Sequence, residues 1–218
     1  MRRAKLVQLM LAVGLTALAG YVDAVGLLRL GNLFVSFMSG DSTQLAVAVS
    51  EGRWIKAADA TGIVLLFIAG VIVGRRLALA ARNRGLTVVL VIETALLGGA
   101  AAFAPSTHLA FIPLVVAMGM QNAAVRQTGQ TTGITYITGA LVNVGEKLSD
   151  AWDARTAEER WAWVPHFLLW LGLVIGALLG ALAYRAFGIR SLLGAALAAT
   201  VFAGVTARQT ARAAASRP

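Results

Sequence analysis

The stretch Phe34-Val35-Ser36-Phe37-Met38-Ser39-Gly40-Asp41-Ser42-Thr43 decides how this chain is read. An apolar run at 34–39 is cut by Gly40-Asp41-Ser42-Thr43 and resumes at 45–49. Glycine, aspartate and serine favour turns and helix caps over helix interiors, so 33–50 is expected to be a broken helix. A second stretch of this kind, 132–149, carries Thr138-Gly139 near its middle. Around the two lie six uninterrupted apolar runs, at 6–28, 57–74, 86–104, 109–125, 163–184 and 189–207. Each reaches the roughly 17–25 residues that a helix needs to cross a bilayer.

The composition agrees. Of 218 residues, 58% are hydrophobic and only 13% charged, against roughly 25% charged in soluble domains, and the mean hydropathy is +0.76. A soluble fold of this size could not hide that much apolar surface, so the lipid bilayer is the expected partner. The net charge of +9 would suit nucleic acid, but the basic residues sit at the ends of apolar runs, where they orient membrane helices. No nucleic-acid partner is expected. The chain has no cysteine, which removes disulfides and thiol chemistry. His108 and His166 are far apart, and no metal-ligand cluster, phosphate loop or nucleophile–base pair occurs. An enzyme, a cofactor and a metal site are therefore not expected.

Arginine placement tests whether the broken stretches cross. Arg2, Arg3 and Lys5 ahead of the first run suit a membrane helix with a cytoplasmic start better than a cleaved signal. If both broken stretches return to their own side, six spans remain. Fourteen of the 19 basic residues then face the cytoplasm, among them Arg75, Arg76, Arg82, Arg84, Arg208 and Arg212. If both cross, making eight spans, the split is eleven to eight and the dense 75–84 loop faces outward. The positive-inside rule favours six spans with both termini cytoplasmic.

A shift of 99 residues aligns Gly20-Tyr21-Val22-Asp23-Ala24 with Gly119-Met120-Gln121-Asn122-Ala123. It also aligns Val35-Ser36-Phe37-Met38-Ser39-Gly40 with Ile134-Thr135-Tyr136-Ile137-Thr138-Gly139. The expected architecture is an all-α polytopic membrane protein, six full transmembrane helices plus two broken or re-entrant helical segments. It forms a single membrane domain, 1–218, with repeat 1 at about 6–104, repeat 2 at about 105–207 and a cytoplasmic tail at 208–218. Three spans per repeat is an odd number, so the second copy is expected to be inverted. Inverted repeats with discontinuous helices build many transporters, with the substrate site at the repeat interface.

Asp23 lies 17 residues after Leu6, about 26 Å along a helix. A carboxylate at the bilayer centre costs about 2.5–3.5 kcal/mol on insertion scales. Either it belongs to a pathway or it sits at the outer headgroups near Arg29; polar Asn122 at the matching position favours the pathway. Glu93, inside the apolar run 88–97, is expected to face the bundle interior, as a protonatable group or as a buried neutral acid. Ser39, Gly40, Asp41, Thr138 and Gly139 mark the breaks, where a helix start exposes free N–H groups. Gln121 and Asn122 would add hydrogen bonds. Arg126 reads as a positive-inside anchor. Trp152, Trp161, Trp163 and Trp170 read as an interfacial belt, and 146–160 as a solvated cytoplasmic loop.

The segments Gly20–Ala24, Phe34–Thr43, Ala117–Ala123 and Thr135–Gly139 resemble the YoaK-like family of bacterial multi-pass membrane proteins, grouped under a domain of unknown function. The resemblance covers nearly the whole chain. It implies bacterial inner-membrane localisation but no substrate. Where that family reads Ser/Thr-Gly-Asn, this chain has Asp41 in the Asn place.

The expected function is a small transporter or channel for a small polar solute or ion, with a homodimer as a compatible assembly. The alternative is a non-transporting membrane scaffold or assembly factor. Because native cysteine is absent, the topology has a direct check. Asn83→Cys is expected to react with membrane-impermeant thiol reagents only after cells are opened, and labelling of intact cells would exclude six spans.

Overall fold

The structure is a computed structural model that describes residues 2–103, 111–126 and 136–215. His108, the start of the second broken stretch at 132–135 and the Arg126 side chain lie outside the described residues. Those described are helical, with no strand among them. The helices are α1 (Arg2–Arg29), α2 (Met38–Ser50), α3 (Trp54–Ala80), α4 (Gly85–Phe103), α5 (Ile112–Arg126), α6 (Ile137–Asp150), α7 (Ala157–Arg160), α8 (Val164–Phe187) and α9 (Leu192–Ala215). Four stretches are long and apolar enough to cross a membrane: Leu6–Arg29, Trp54–Ala80, Arg82–Ala102 and Ala157–Arg212. The last, at 56 residues, holds both α8 and α9, which part at Gly188 with φ +58°. Ile112–Val125 is a shorter apolar helix.

Glycine sets the helix pairing. Gly20 of α1 lies against the backbone of Leu173 and Ala177 on α8, while Gly176 and Gly180 of α8 lie against Ala17 and Tyr21. Gly119 of α5 lies against Phe67 and Val71 on α3, while Gly70 and Gly74 of α3 lie against Val116 and Met120. A Cβ at any of these six would run into the partner backbone. Without a hydrophobic drive between helices in lipid, such close approach is what holds them together. The residue pairs advance in step, so α1 and α8 run parallel, and so do α3 and α5. Between α4 and α9 the contacts are Thr87–Thr206 at 2.9 Å and Thr94–Thr200 at 3.4 Å between hydroxyls. Those numbers move in opposite directions, so α4 and α9 are antiparallel.

The two glycine sets correspond. Residues of α1 map to α5 by the offset from Gly20 to Gly119, and residues of α3 map to α8 by the offset from Gly70 to Gly176, seven residues longer. The extra residues fall between α6 and α8, where α7 begins with a Thr156–Glu159 capping box. The longer offset also maps Thr94 onto Thr200, and Arg82 (φ +51°) onto Gly188 (φ +58°). A single shift of 99 therefore holds only as far as α6.

The breaks lie earlier than the sequence reading placed them. Gly31 and Asn32 adopt left-handed φ of 62° and 77° and end α1. The irregular segment is 30–37, and α2 then runs unbroken through Gly40-Asp41-Ser42-Thr43. On the other side α6 begins at Ile137, so Thr138 and Gly139 stand in its first turn. Glycine and serine are tolerated there because the first turn makes few intrahelical bonds.

Gly176→Leu and Gly70→Leu are expected to lose about 1–3 kcal/mol through overpacking, while Gly204→Leu, whose Cβ meets nothing within 4 Å, does not. Thermal unfolding of the three variants in detergent checks this.

Candidate functional site

The first break is built by two carboxylates. Asp23 of α1 accepts from the backbone N–H of Val35 at 2.9 Å and of Ser36 at 2.7 Å on Oδ1, and from the Ser36 hydroxyl at 2.6 Å on Oδ2. Asp41 of α2 accepts from the Phe34 N–H at 2.9 Å. Val35 and Asp41 are fully buried, and Asp23 is 7% exposed. Asp23 therefore lies inside the bundle, its carboxylate turned to the break. Non-helical backbone at depth needs partners supplied by protein or water, and these three donors from Phe34 to Ser36 find them on side chains. Asp23 holds the segment in place.

The starts of α2 and α6 match closely. Their N-cap residues, Phe37 (φ −94°, ψ 69°) and Tyr136 (φ −78°, ψ 56°), share one backbone conformation and neither helix has a side-chain cap. Three residues on, Gly40 lies under the Phe37 ring and Gly139 under the Tyr136 ring. A side chain at either glycine would displace the ring. This is a packing reason for glycine that the sequence reading assigned to chain breaking.

Both starts face one cavity of about 490 Å³, inside the roughly 300–1,000 Å³ range of small-molecule sites. Ser36, Phe37, Met38 and Ser39 line it from the first break, and Tyr136, Ile137 and Thr138 from the second. Phe67 and Val71 of α3 and Asn122 and Ala123 of α5 complete the lining. Phe67 is the middle residue of α3 (Trp54–Ala80), so the cavity sits at mid-depth along the bundle. Hydroxyls, one amide and three aromatic rings can hold a small amphipathic or polar guest. Asn122 donates to the Met118 carbonyl at 3.0 Å, which fixes its side chain at the wall.

The predicted site residues thus divide. Ser39, Thr138 and Asn122 line the cavity, and Gly40 and Gly139 seat the rings above it. Asp23 and Asp41 order the adjoining loop. Glu93 and Gln121 are fully buried and do not line it; their side-chain oxygens and the Gln121 amide nitrogen have no hydrogen-bond partner. Phe37, Tyr136 and Phe67 were missed by sequence reasoning, although the aligned Phe37–Tyr136 pair was a usable signal. A wider hollow of about 620 Å³, lined by Arg53, Lys56 and Asp59 among others, lies at the ends of α1 and α3 and includes none of the predicted residues. The tryptophans form a chain of ring contacts, Trp161–Trp163–Phe167–Trp170, and Trp152 is 90% exposed.

An all-helical fold with several helices long and apolar enough to cross a bilayer is that of a polytopic membrane protein. It belongs to the DUF1275 family of proteins of unknown function, whose pattern matches residues 11–205. The chain is 34% identical over 200 residues to the UPF0700 transmembrane protein RA0705 of Rhizobium meliloti (strain 1021), covering 91% of this chain and 85% of that protein. It is 30% identical over 143 residues to the UPF0700 transmembrane protein YoaK of Bacillus subtilis (strain 168), covering 60% and 63%. No solved structure matches.

Asp23→Leu is expected to destabilise the protein far more than Asp23→Asn. The leucine leaves two buried N–H groups unpaired, at about 1–3 kcal/mol each, while asparagine keeps an acceptor. Thermal unfolding of both variants in one detergent measures the difference.

Proposed function

We propose that this protein moves a small polar solute or ion across the bacterial inner membrane, through a path that opens at the cavity between the two breaks. The observation that carries this reading is that the starts of α2 and α6, far apart in sequence, line one cavity at mid-depth. The cavity is mainly apolar with a few hydroxyls and one amide converging on it, as small-molecule sites are, and transporters place their substrate sites in that position.

Six crossings in two inverted repeats are part of the proposal. Matching helices α4 and α9 run antiparallel, which suits an inverted pair; eight alternating crossings would make them parallel. The Thr210 hydroxyl donates to the Asn83 carbonyl at 3.3 Å. That contact brings the end of α9, with Arg208 and Arg212, to the turn holding Arg82 and Arg84. These arginines share one end of the bundle, as a cytoplasmic face with a cytoplasmic C-terminus requires. In this reading Ser36, Ser39, Thr138 and Asn122 offer hydrogen bonds to the solute, and Phe37 and Tyr136 close the two approaches.

Purified protein in liposomes is expected to pass at least one member of a panel of small neutral solutes, inorganic anions and monovalent cations. Asn122→Leu should lower that flux at least tenfold while leaving the unfolding temperature close to that of the parent. No flux across the whole panel, with Asn122→Leu altering stability alone, would sink transport in favour of a membrane scaffold or assembly factor.

A further inference from the structure

Glu93 is the one fully buried carboxyl group among the described residues in which neither oxygen has a partner. Its place can be fixed from contacts. Gly85, the first residue of α4, lies against Ala78 of α3, and α4 follows α3 through the tight turn Arg82–Arg84. The two helices are therefore antiparallel, and counting back from that contact sets Glu93 level with Gly70. Gly70 abuts Val116 of α5, and the cavity residues Phe67 and Val71 bracket it. Glu93 thus stands at the depth of the cavity, behind the wall that α3 and α5 make. On α5, Gln121 is five residues beyond Val116, about 8 Å along the axis, and directly precedes cavity-lining Asn122. It too is fully buried, with both amide atoms unpartnered.

Thr94, next to Glu93, is the middle residue of α4 (Gly85–Phe103) and meets its counterpart Thr200. That contact lies on the exposed side of the bundle, and Glu93, one residue before Thr94, is buried at the same depth. Its counterpart is Ala199. Among the described residues of the packed helices, the charged groups of α3 (Lys56, Asp59, Arg75, Arg76) and of α9 (Arg208, Arg212) lie toward the helix ends, and 112–125 of α5 carries none. Arg82, Arg84 and Arg190 stand in the turns at the two ends. No fixed charge from these elements faces Glu93.

We propose that Glu93 is a proton-binding site, loaded as a neutral acid in the arrangement described here and unloaded to water when the α3–α5 wall parts from α4. Deprotonation breaks the O–H bond, leaves the electron pair on the carboxylate and passes the proton to water. Gln121 has no bond to Glu93 in this arrangement; brought within reach by the parting of the helices, its amide would suit both forms, the carbonyl oxygen accepting from the acid and the N–H donating to the carboxylate. An isolated buried carboxylate would be prohibitive, so the amide and water have to reach it as the proton leaves. The purpose of the site, coupling proton movement to solute movement, rests on the transport reading; proton binding itself can be tested without any flux.

Infrared difference spectra of the full chain in phosphatidylethanolamine–phosphatidylglycerol vesicles provide the test. A protonated-carboxyl C=O band is expected that shifts in deuterated water, titrates away as pH rises, vanishes in Glu93→Gln and survives in Asp23→Asn and Asp41→Asn. Gln121→Leu should move the midpoint by at least tenfold in proton concentration. If Glu93→Gln folds poorly, labelling of the parent protein by a hydrophobic carbodiimide, mapped by mass spectrometry, should fall on Glu93 and weaken as pH rises. A band untouched by Glu93→Gln would overturn the proposal, as would one that neither exchanges nor titrates while the protein stays folded, or carbodiimide labelling absent from Glu93. Absence of flux with an exchangeable Glu93 band would sink the transport reading alone.

Discussion

A peptide N–H inside a membrane protein must find an acceptor, and at residues 34–36 no helix supplies one. Asp23 and Asp41 do, taking the backbone donors of Phe34, Val35 and Ser36. The rest of the site depends on that exchange of helical bonds for carboxylate bonds. It lets buried Val35 lie in non-helical chain and sets where α2 begins. It also places Phe37 and Ser39 at the cavity edge. Remove the carboxylates and the same apolar residues have every reason to continue as helix, since in lipid the helix satisfies its own backbone.

The second constraint is close packing through glycine. Four parallel-pair contacts on each side, α1 with α8 and α3 with α5, use matching positions, so the two halves of the chain solve the same packing problem in the same way. Their chemistry does not match. Asp23 corresponds to Asn122, Asp41 to Ala140 and Glu93 to Ala199. The first half keeps all three buried acids, and the second contributes neutral wall. The shared glycine contacts belong to the packing, while the buried acids that order the first break have no acidic counterpart at the matching positions.

Much of this was legible in the sequence. Composition and run lengths sufficed for the membrane class, because hydropathy is a property of residue type alone. The 99-residue shift pairs Gly20 with Gly119, and both are close-contact glycines in the structure. Gly70 and Gly176 play the same packing part at a separation seven residues longer, which the shift does not reach. The breaks were misplaced by several residues for a different reason. Gly40-Asp41-Ser42-Thr43 has the composition of a turn, but Asp41 points back to Phe34, and Gly40 makes room for the Phe37 ring. Residue type cannot reveal which distant amide a carboxylate will hold. Nor could it show that Asp23 is engaged while Glu93 is not, since both are lone acids in apolar runs.

That last distinction separates framework from chemistry among the three acids. Asp23 accepts three hydrogen bonds across its two oxygens, and its negative charge is what makes those bonds strong. Its work in the fold is to hold the break. Asp41 is intermediate, with one oxygen bonded to Phe34 and the other, Oδ2, buried and unpartnered. Glu93 has no donor at all, so a proton is the simplest partner that satisfies it. Engagement by hydrogen-bond donors falls in the order Asp23, Asp41, Glu93. The acid with the least structural work is fully buried at the depth of the cavity, one wall away from it, where a change of charge would weigh most on how the helices pack.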